Sequence, residues 1–183
     1  MAYDLTDPED RKRAWSDYLW KDHGVLRLRF HNMYEVGGGL WRANQPSPDR
    51  IEWLASEGFK TILNIRGPQP GVCYYDFERE ACERHGLALH DMPFGSREAP
   101  YVDRIQRAVK VFDSIEYPAL VHCKSGADRA GLISVLFALT HLNLPYEQAI
   151  EHLSLKYLHV KAGKTGVLDY FFETYRAYNE AHP

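Results

Sequence analysis

Cys123 and Arg129 have the residue types and the spacing to make and break a bond to phosphorus. A cysteine thiolate is a nucleophile, and a guanidinium presents a planar fork of donors that grips two phosphate oxygens at once. Between the two, Lys124, Ser125, Gly126, Ala127 and Asp128 form a short glycine-containing loop. An apolar run ending at His122 precedes the loop, and a long apolar segment over 132–142 follows it. That order predicts a buried strand, a tight loop and a buried helix. A loop running into a helix N-terminus turns its backbone N–H groups inward at the positive end of the helix dipole, which suits a tetrahedral oxyanion. The dipole and Arg129 favour thiolate over thiol at Cys123; a free cysteine titrates near ~8.5, and such surroundings bring it to between ~3.5 and ~7.5. The bland alternative is a structural cysteine ahead of a helix, since free Cys is among the most buried residue types. Strand, His, Cys, Gly, Arg and helix together in one window favour the chemical reading.

The pattern His122-Cys123-x-x-Gly126-x-x-Arg129 resembles the signature of the cysteine-dependent protein tyrosine and dual-specificity phosphatases. Two further stretches, Leu40-Trp41-Arg42-Ala43-Asn44-Gln45-Pro46 and Thr61-Ile62-Leu63-Asn64-Ile65-Arg66, resemble the strand regions before the catalytic strand in small bacterial dual-specificity-like members. The likeness covers roughly residues 25–178 and is strongest at the loop. It implies that Cys123 attacks phosphorus, that Arg129 binds the phosphoryl group, and that Lys124, Ser125, Gly126, Ala127, Asp128 and Arg129 line the phosphate cradle. It implies no metal and no cofactor. One position departs from the pattern: the family usually carries Ser or Thr after the Arg, and here it is Ala130. The missing hydroxyl implies a slower second step and keeps a catalytically weak phosphate-recognition module as an alternative. A rhodanese-like sulfurtransferase is the other alternative, although its loop is usually tighter or lacks the Gly-x-x-Arg ending.

Expelling an alkoxide from phosphorus is slow unless a proton reaches it, so a carboxylic acid must stand near the pocket. In the family this acid lies on a loop after the strand preceding the catalytic one, which corresponds here to residues 93–100. Ser96 stands where the usual Asp is expected; Glu98 is the nearest loop carboxyl, and Asp91 is the alternative at the end of the preceding strand. Asp91 as a core-paired carboxylate and Glu98 as a solvated one are the corresponding structural readings. Ser96 and Arg97 are alternative substrate contacts, and Asp128 could instead turn away from the pocket to orient its neighbours. Lys124 beside the nucleophile points to a phosphorylated substrate more anionic than phosphotyrosine: a phosphoinositide, a phospholipid head group or another small phosphate, besides phosphoproteins. The nine histidines show no HxH or HExxH spacing.

The elements that must position these residues are legible in outline. A first helix opening at Thr6-Asp7-Pro8 is expected to end at Gly24. Residues 25–32 and 40–44 read as strands joined through a turn at Gly37-Gly38-Gly39, 61–65 and 87–92 as further strands, and 47–58, 72–85 and 102–112 as helices. A helix from Pro145 to His152 and a last one with Val167, Leu168, Phe171, Tyr175 and Tyr178 facing inward complete the chain. Strands alternating with helices predict an α/β fold with a central, largely parallel sheet of four to five strands flanked by helices, and the resemblance implies the dual-specificity phosphatase-like version of it. The Cys123 loop then lies off the C-terminal ends of the strands, where such sheets bind ligands. At 183 residues the chain is expected to be a single phosphatase domain, with 1–24 a helical extension and 25–183 the catalytic core. Six acidic and six basic residues in the first thirty speak against a membrane-surface role for Trp15 and Trp20. A net charge of -3 gives no general pull toward nucleic acid. No window of about eighteen apolar residues and no signal-peptide core is present. Three cysteines without a CxxC pair suit a reducing cytoplasm; Cys73 and Cys82 are read as packing residues, with a protective disulfide to Cys123 as the alternative. Gly163-Lys164-Thr165 lacks the earlier glycine of a Walker A loop and is set aside.

Overall fold

The computed structural model describes residues 3–182. Its centre is a five-stranded sheet in the order β1-β2-β5-β3-β4, formed by Tyr34–Gly37, Leu40–Asn44, Ala119–Cys123, Thr61–Asn64 and Ala88–Asp91. Only the β1–β2 hairpin is antiparallel; β2, β5, β3 and β4 run parallel. Registers pair Asn44 with Cys123, Asn64 with His122, and Asn64 with Asp91. The C-terminal ends of all four parallel strands therefore meet at one edge, with β5 in the middle.

Side-chain alternation along β5 divides the core. Ala119, Val121 and Cys123 face a cluster built with α5 (Val102–Ser114), α6 (Asp128–Thr140) and α8 (Val167–Ala181). Leu120 points the other way, to Ile51 and Leu54 of α3 (Pro48–Ser56) and Ala81 and Cys82 of α4 (Cys73–His85). Helix α6 is apolar all round because it is enclosed: Leu132, Ile133, Val135 and Phe137 are fully buried. Capping follows sequence signals. Ser47 Oγ accepts from the Arg50 amide at the start of α3, Asp7 accepts from Glu9 and Asp10 at the start of α1 (Pro8–Trp20), and Gly86 ends α4 at φ 71°.

Four expectations are corrected. Residues 25–32 are not a strand: Gly24–Arg27 is one helical turn, α2, and the chain then runs irregularly to Asn32 at φ 46°. Its alternating apolar residues are not buried, Leu26 being 70% and Phe30 51% exposed, and it is Arg27 that is enclosed. Gly24 opens this turn instead of ending the first helix, because a Cβ there would lie 2.6 Å from the Tyr18 carbonyl oxygen. Tyr175 and Tyr178 face outward from α8, whose buried side is made by Leu168, as expected, with Asp169 and Phe172. The helix expected from Pro145 is a single α-turn, α7 (Tyr146–Ala149), continued by a 3-10 turn, Ile150–His152. The first helix packs on α4 through Trp15, Tyr18 and Phe77. No described helix is long and apolar enough to cross a membrane.

Candidate active site

Cys123 is the last residue of β5, and Asp128 and Arg129 open α6, so the intervening residues bend tightly around the sheet edge. Gly126 makes the bend at φ 74°, and a Cβ there would stand 2.7 Å from the backbone of Ala43 and Asn44, so no other residue fits. Among the described residues, the amides of Lys124, Ser125 and Gly126 donate to no protein acceptor, nor does the Arg129 guanidinium. These donors and the first-turn amides of α6 are available to an anion at this end of the sheet. Ser125 is exposed, and its Oγ accepts from the Ala127 amide at 3.4 Å. Ala130 is fully buried; the nearby Ser134 hydroxyl donates to the Ala130 carbonyl at 2.7 Å and so supplies no substitute for the missing hydroxyl.

The loop is held from beneath by Arg42, the largest fully buried side chain. Its guanidinium donates to the carbonyls of Gly126 at 2.7 Å, Ala127 at 2.9 Å and His152 at 2.6 Å, and stacks 4.1 Å from the Tyr157 ring. Burial brings its pKa down to about 10, with Cys123 pulling the other way, so it is a cation at neutral pH. Asn32 Nδ2 ties the Ser125 carbonyl at 3.0 Å to that of Tyr157 at 3.1 Å. Behind Cys123, His122 Nε2 lies 2.5 Å from Glu78 Oε1 inside the protein.

The N-terminal stretch enters the site through Asp22. Arg66 forms a two-pronged pair with this carboxylate at 2.9 and 3.0 Å, Arg27 adds a contact at 2.6 Å, and Lys124 stands at 3.2 Å. Burial alone would raise the Asp22 pKa; the hydrogen bonds and charge of Arg66, then Arg27 and Lys124, outweigh it and hold the carboxyl below its usual range. Lys124 is therefore turned toward Asp22 on one flank of the loop. On the other flank Asp128 turns out of the cradle: its carboxylate lies 2.8 Å from His159 Nδ1, while His159 Nε2 lies 2.8 Å from Asp169 of α8. The Asp128 side chain is thus engaged with His159.

The two candidate proton donors differ in surroundings. Asp91 ends β4 with both oxygens engaged, by Asn64 Nδ2 at 2.8 Å and by the Tyr75 hydroxyl at 2.7 Å. Burial and then this hydrogen bond push the Tyr75 phenol up to about 12. Glu98 is half exposed, curls back over Gly95, and has Arg104 as its nearest charged partner at 3.9 Å. The structure thus gathers residues 123–129 into one cradle and leaves Glu98 on a separate loop rooted at the same sheet edge. All three cysteines are free, and burial raises the thiol pKa of Cys73 and of Cys82. No group of three or more potential metal ligands occurs among the described residues.

Several site residues carry no local signal. Arg42 is the exception, since a charged residue inside an apolar strand marks a buried partner set. Asp22, Asn32, His159 and Asp169 lie in unremarkable segments, and only the fold brings them to the loop.

A model of the family described as "DSP-PTPase phosphatase fused to NAD+ Kinase" matches residues 33–164. The chain is 29% identical over 119 residues to inositol diphosphatase DSP2 of Oryza sativa subsp. japonica, covering 62% of this chain and 56% of that one. It spans about half the length of the inositol diphosphatases it first matches. The core catalytic domain of the PP-IP phosphatase SIW14 from S. cerevisiae, in complex with citrate, superposes with a TM-score of 0.61 at 16% identity, over 84% of this chain and 96% of that one. P. aeruginosa TpbA in complex with pTyr superposes with a TM-score of 0.57 at 15% identity, over 78% and 89% of the two chains. These two likenesses show a shared α/β fold.

Proposed function

Because the chain belongs to the DSP-PTPase phosphatase family, in the branch described with an NAD+ kinase fusion, we propose that it hydrolyses phosphate esters or diphosphates of a small, densely anionic substrate of the inositol phosphate class. The observation that supports this reading is the braced loop that joins Cys123 at the end of β5 to Arg129 in the first turn of α6, with the carbonyls of Gly126 and Ala127 held by Arg42. Lys124 at the rim, and the activity in the names of the plant relatives, favour a polyanion over a phosphoprotein.

In this mechanism the Cys123 thiolate attacks phosphorus, the S–P bond forms, and the P–O bond to the leaving group breaks. Arg129 and the loop amides hold the three equatorial oxygens, where charge is spread in the transition state. Glu98 donates its proton to the departing oxygen and, as a carboxylate, then takes one from the water that attacks the phosphocysteine. That second step returns the thiolate and releases phosphate. Without a hydroxyl at Ala130 to stabilise the departing sulfur, the second step is the slower. Residues 1–183 would act as one catalytic unit in a reducing, cytoplasmic setting that keeps Cys123 unoxidised.

Phosphate release from a diphosphoinositol phosphate, p-nitrophenyl phosphate and a phosphotyrosyl peptide tests the proposal. The expected result is turnover of all three, with the highest kcat/KM for the first, insensitivity to EDTA, and loss in Cys123→Ser. Tungstate binding without turnover of any substrate would make the chain a phosphate-recognition module. Thiocyanate formation from thiosulfate and cyanide would make it a sulfurtransferase.

A further inference from the structure

His159 lies outside the loop and takes no part in the steps above, yet it is fully enclosed between two carboxylates. Asp128 Oδ1 faces its Nδ1 and Asp169 Oδ2 faces its Nε2, each at 2.8 Å. A neutral imidazole has one N–H; its other nitrogen would present a lone pair to a carboxylate that can only accept. Both contacts are favourable only when both nitrogens carry protons. Leu158, just before it, is a non-glycine residue at φ 68°, a backbone conformation that persists only where surrounding contacts enforce it.

The chain of contacts links three elements. Asp169 belongs to the first turn of α8, His159 to the segment between the 3-10 turn Leu155–Tyr157 and α8, and Asp128 is the first residue of α6, next to Arg129. The other charged or titratable groups bearing on the cluster are Arg129 and Arg42, which act on Asp128, and Lys161 and Tyr146, which lie near Asp169. With His159 protonated, the three side chains carry a net charge of −1 beside an anion site; with it neutral, −2.

We propose that His159, as an imidazolium bridging Asp128 and Asp169, is a positioning residue for the phosphate cradle: it fixes the start of α6, and with it Arg129, and its deprotonation sets the alkaline limit of anion binding. The proposal rests on the reading of residues 123–129 as an oxyanion site, though not on turnover. Burial would lower the His159 pKa, but the hydrogen bonds its ring donates to Asp128 and Asp169 outweigh it and raise the value. The sign follows: the clamp is intact below the ordinary histidine value of about 6.5 and is lost as pH rises through the higher folded value.

Two measurements on the full chain test this. Nitrogen-15 NMR of the His159 ring should show an imidazolium at pH 7.5, and in Asp169→Asn the titration should move to lower pH by about one unit or more. Tungstate affinity, measured by calorimetry from pH 6 to 9, should fall about tenfold or more across the same titration, earlier in Asp169→Asn. In His159→Gln it should be weak at every pH and lack that step. A merely structural role would lower the melting temperature of the variants without moving the pH at which tungstate is lost. That outcome, or a neutral His159 at pH 7, would overturn the proposal. Failure of the wild type to bind tungstate at any pH would instead overturn the oxyanion site itself. Turnover lost with tungstate binding intact would strike only at the phosphatase reading.

Discussion

The loop after β5 and the loop after β4 leave the same edge of the sheet, yet they are held in opposite ways. The first is tied at nearly every residue to a part of the chain distant in sequence: Ser125 to Asn32, Gly126 and Ala127 to Arg42, Lys124 to Asp22, Asp128 to His159. The second is anchored at its root, where Asn64 and Tyr75 hold Asp91, and beyond that Glu98 lies over Gly95 with Arg104, at 3.9 Å, as its charged partner among the described residues. Binding an anion of fixed shape rewards donors fixed in advance, because none must reorganise when charge develops. Delivering a proton to leaving groups of varied size needs a group that can move. Under the proposed function, the difference would separate a preorganised phosphoryl site from an adjustable proton source.

The contrast breaks most visibly at Arg42. Arg42→Met removes three hydrogen bonds and leaves three enclosed carbonyls, so stability should fall by about 3 kcal/mol or more. In the folded fraction, turnover of p-nitrophenyl phosphate should drop at least about 100-fold as the loop loses its support. Urea denaturation and single-turnover kinetics read the two effects. Arg42→Lys should not rescue, because an ammonium cannot span the same three carbonyls. A variant of near wild-type activity would mean the loop keeps its shape unaided.

Glu98 and Asp91 sharpen the other half. Glu98→Gln should leave stability within about 0.5 kcal/mol, as an exposed substitution does. It should lower kcat for an alkyl phosphate by about 100-fold or more while sparing p-nitrophenyl phosphate, whose leaving group needs little protonation. Asp91→Asn should do the reverse, losing about 1–2 kcal/mol of stability through its contacts to Asn64 and Tyr75, with kcat nearly unchanged. If the leaving-group dependence appears in Asp91→Asn instead, the proton comes from the root of the loop and the roles of the two carboxylates are exchanged.

These variants also mark where the sequence could be read. Cys123, Gly126 and Arg129 were legible because one local segment carries strand, turn and helix start, and their chemistry depends on spacing within it. The parallel sheet followed from alternating strand and helix patterns. The irregular stretch at 25–32 was misread because period-two alternation reports which residues could share a face, not whether a partner strand is present. Exposed Leu26 and Phe30 satisfy the pattern without a sheet. Asp22, His159 and Asp169 could not be found locally, because the ion pairs that tie them to the loop run to or through residues far away in the chain. The choice between Glu98 and Asp91 was likewise invisible, since both are acids of suitable type and only their hydrogen-bond partners distinguish them.

The smallest expected effect concerns Lys124, the one cation in the Asp22 cluster that also belongs to the loop. Its side chain is 40% exposed, so its pair with Asp22 should contribute no more than about 1 kcal/mol. Asp22 is held below its usual pKa, so its contribution to stability is present above the unfolded value near ~3.9 and fades as pH falls through the lower folded value. Lys124→Met removes one of three cations, so the acid unfolding midpoint should move slightly upward, with stability at pH 7 almost unchanged. If Lys124 also meets substrate, KM for a diphosphoinositol phosphate should rise several-fold while kcat holds, because a rim charge supplies binding equally in ground and transition states. A shift in the acid midpoint without a change in KM would assign Lys124 to the brace alone. A change in KM without the shift would show that Asp22 is held by Arg66 and Arg27, leaving Lys124 free for the substrate.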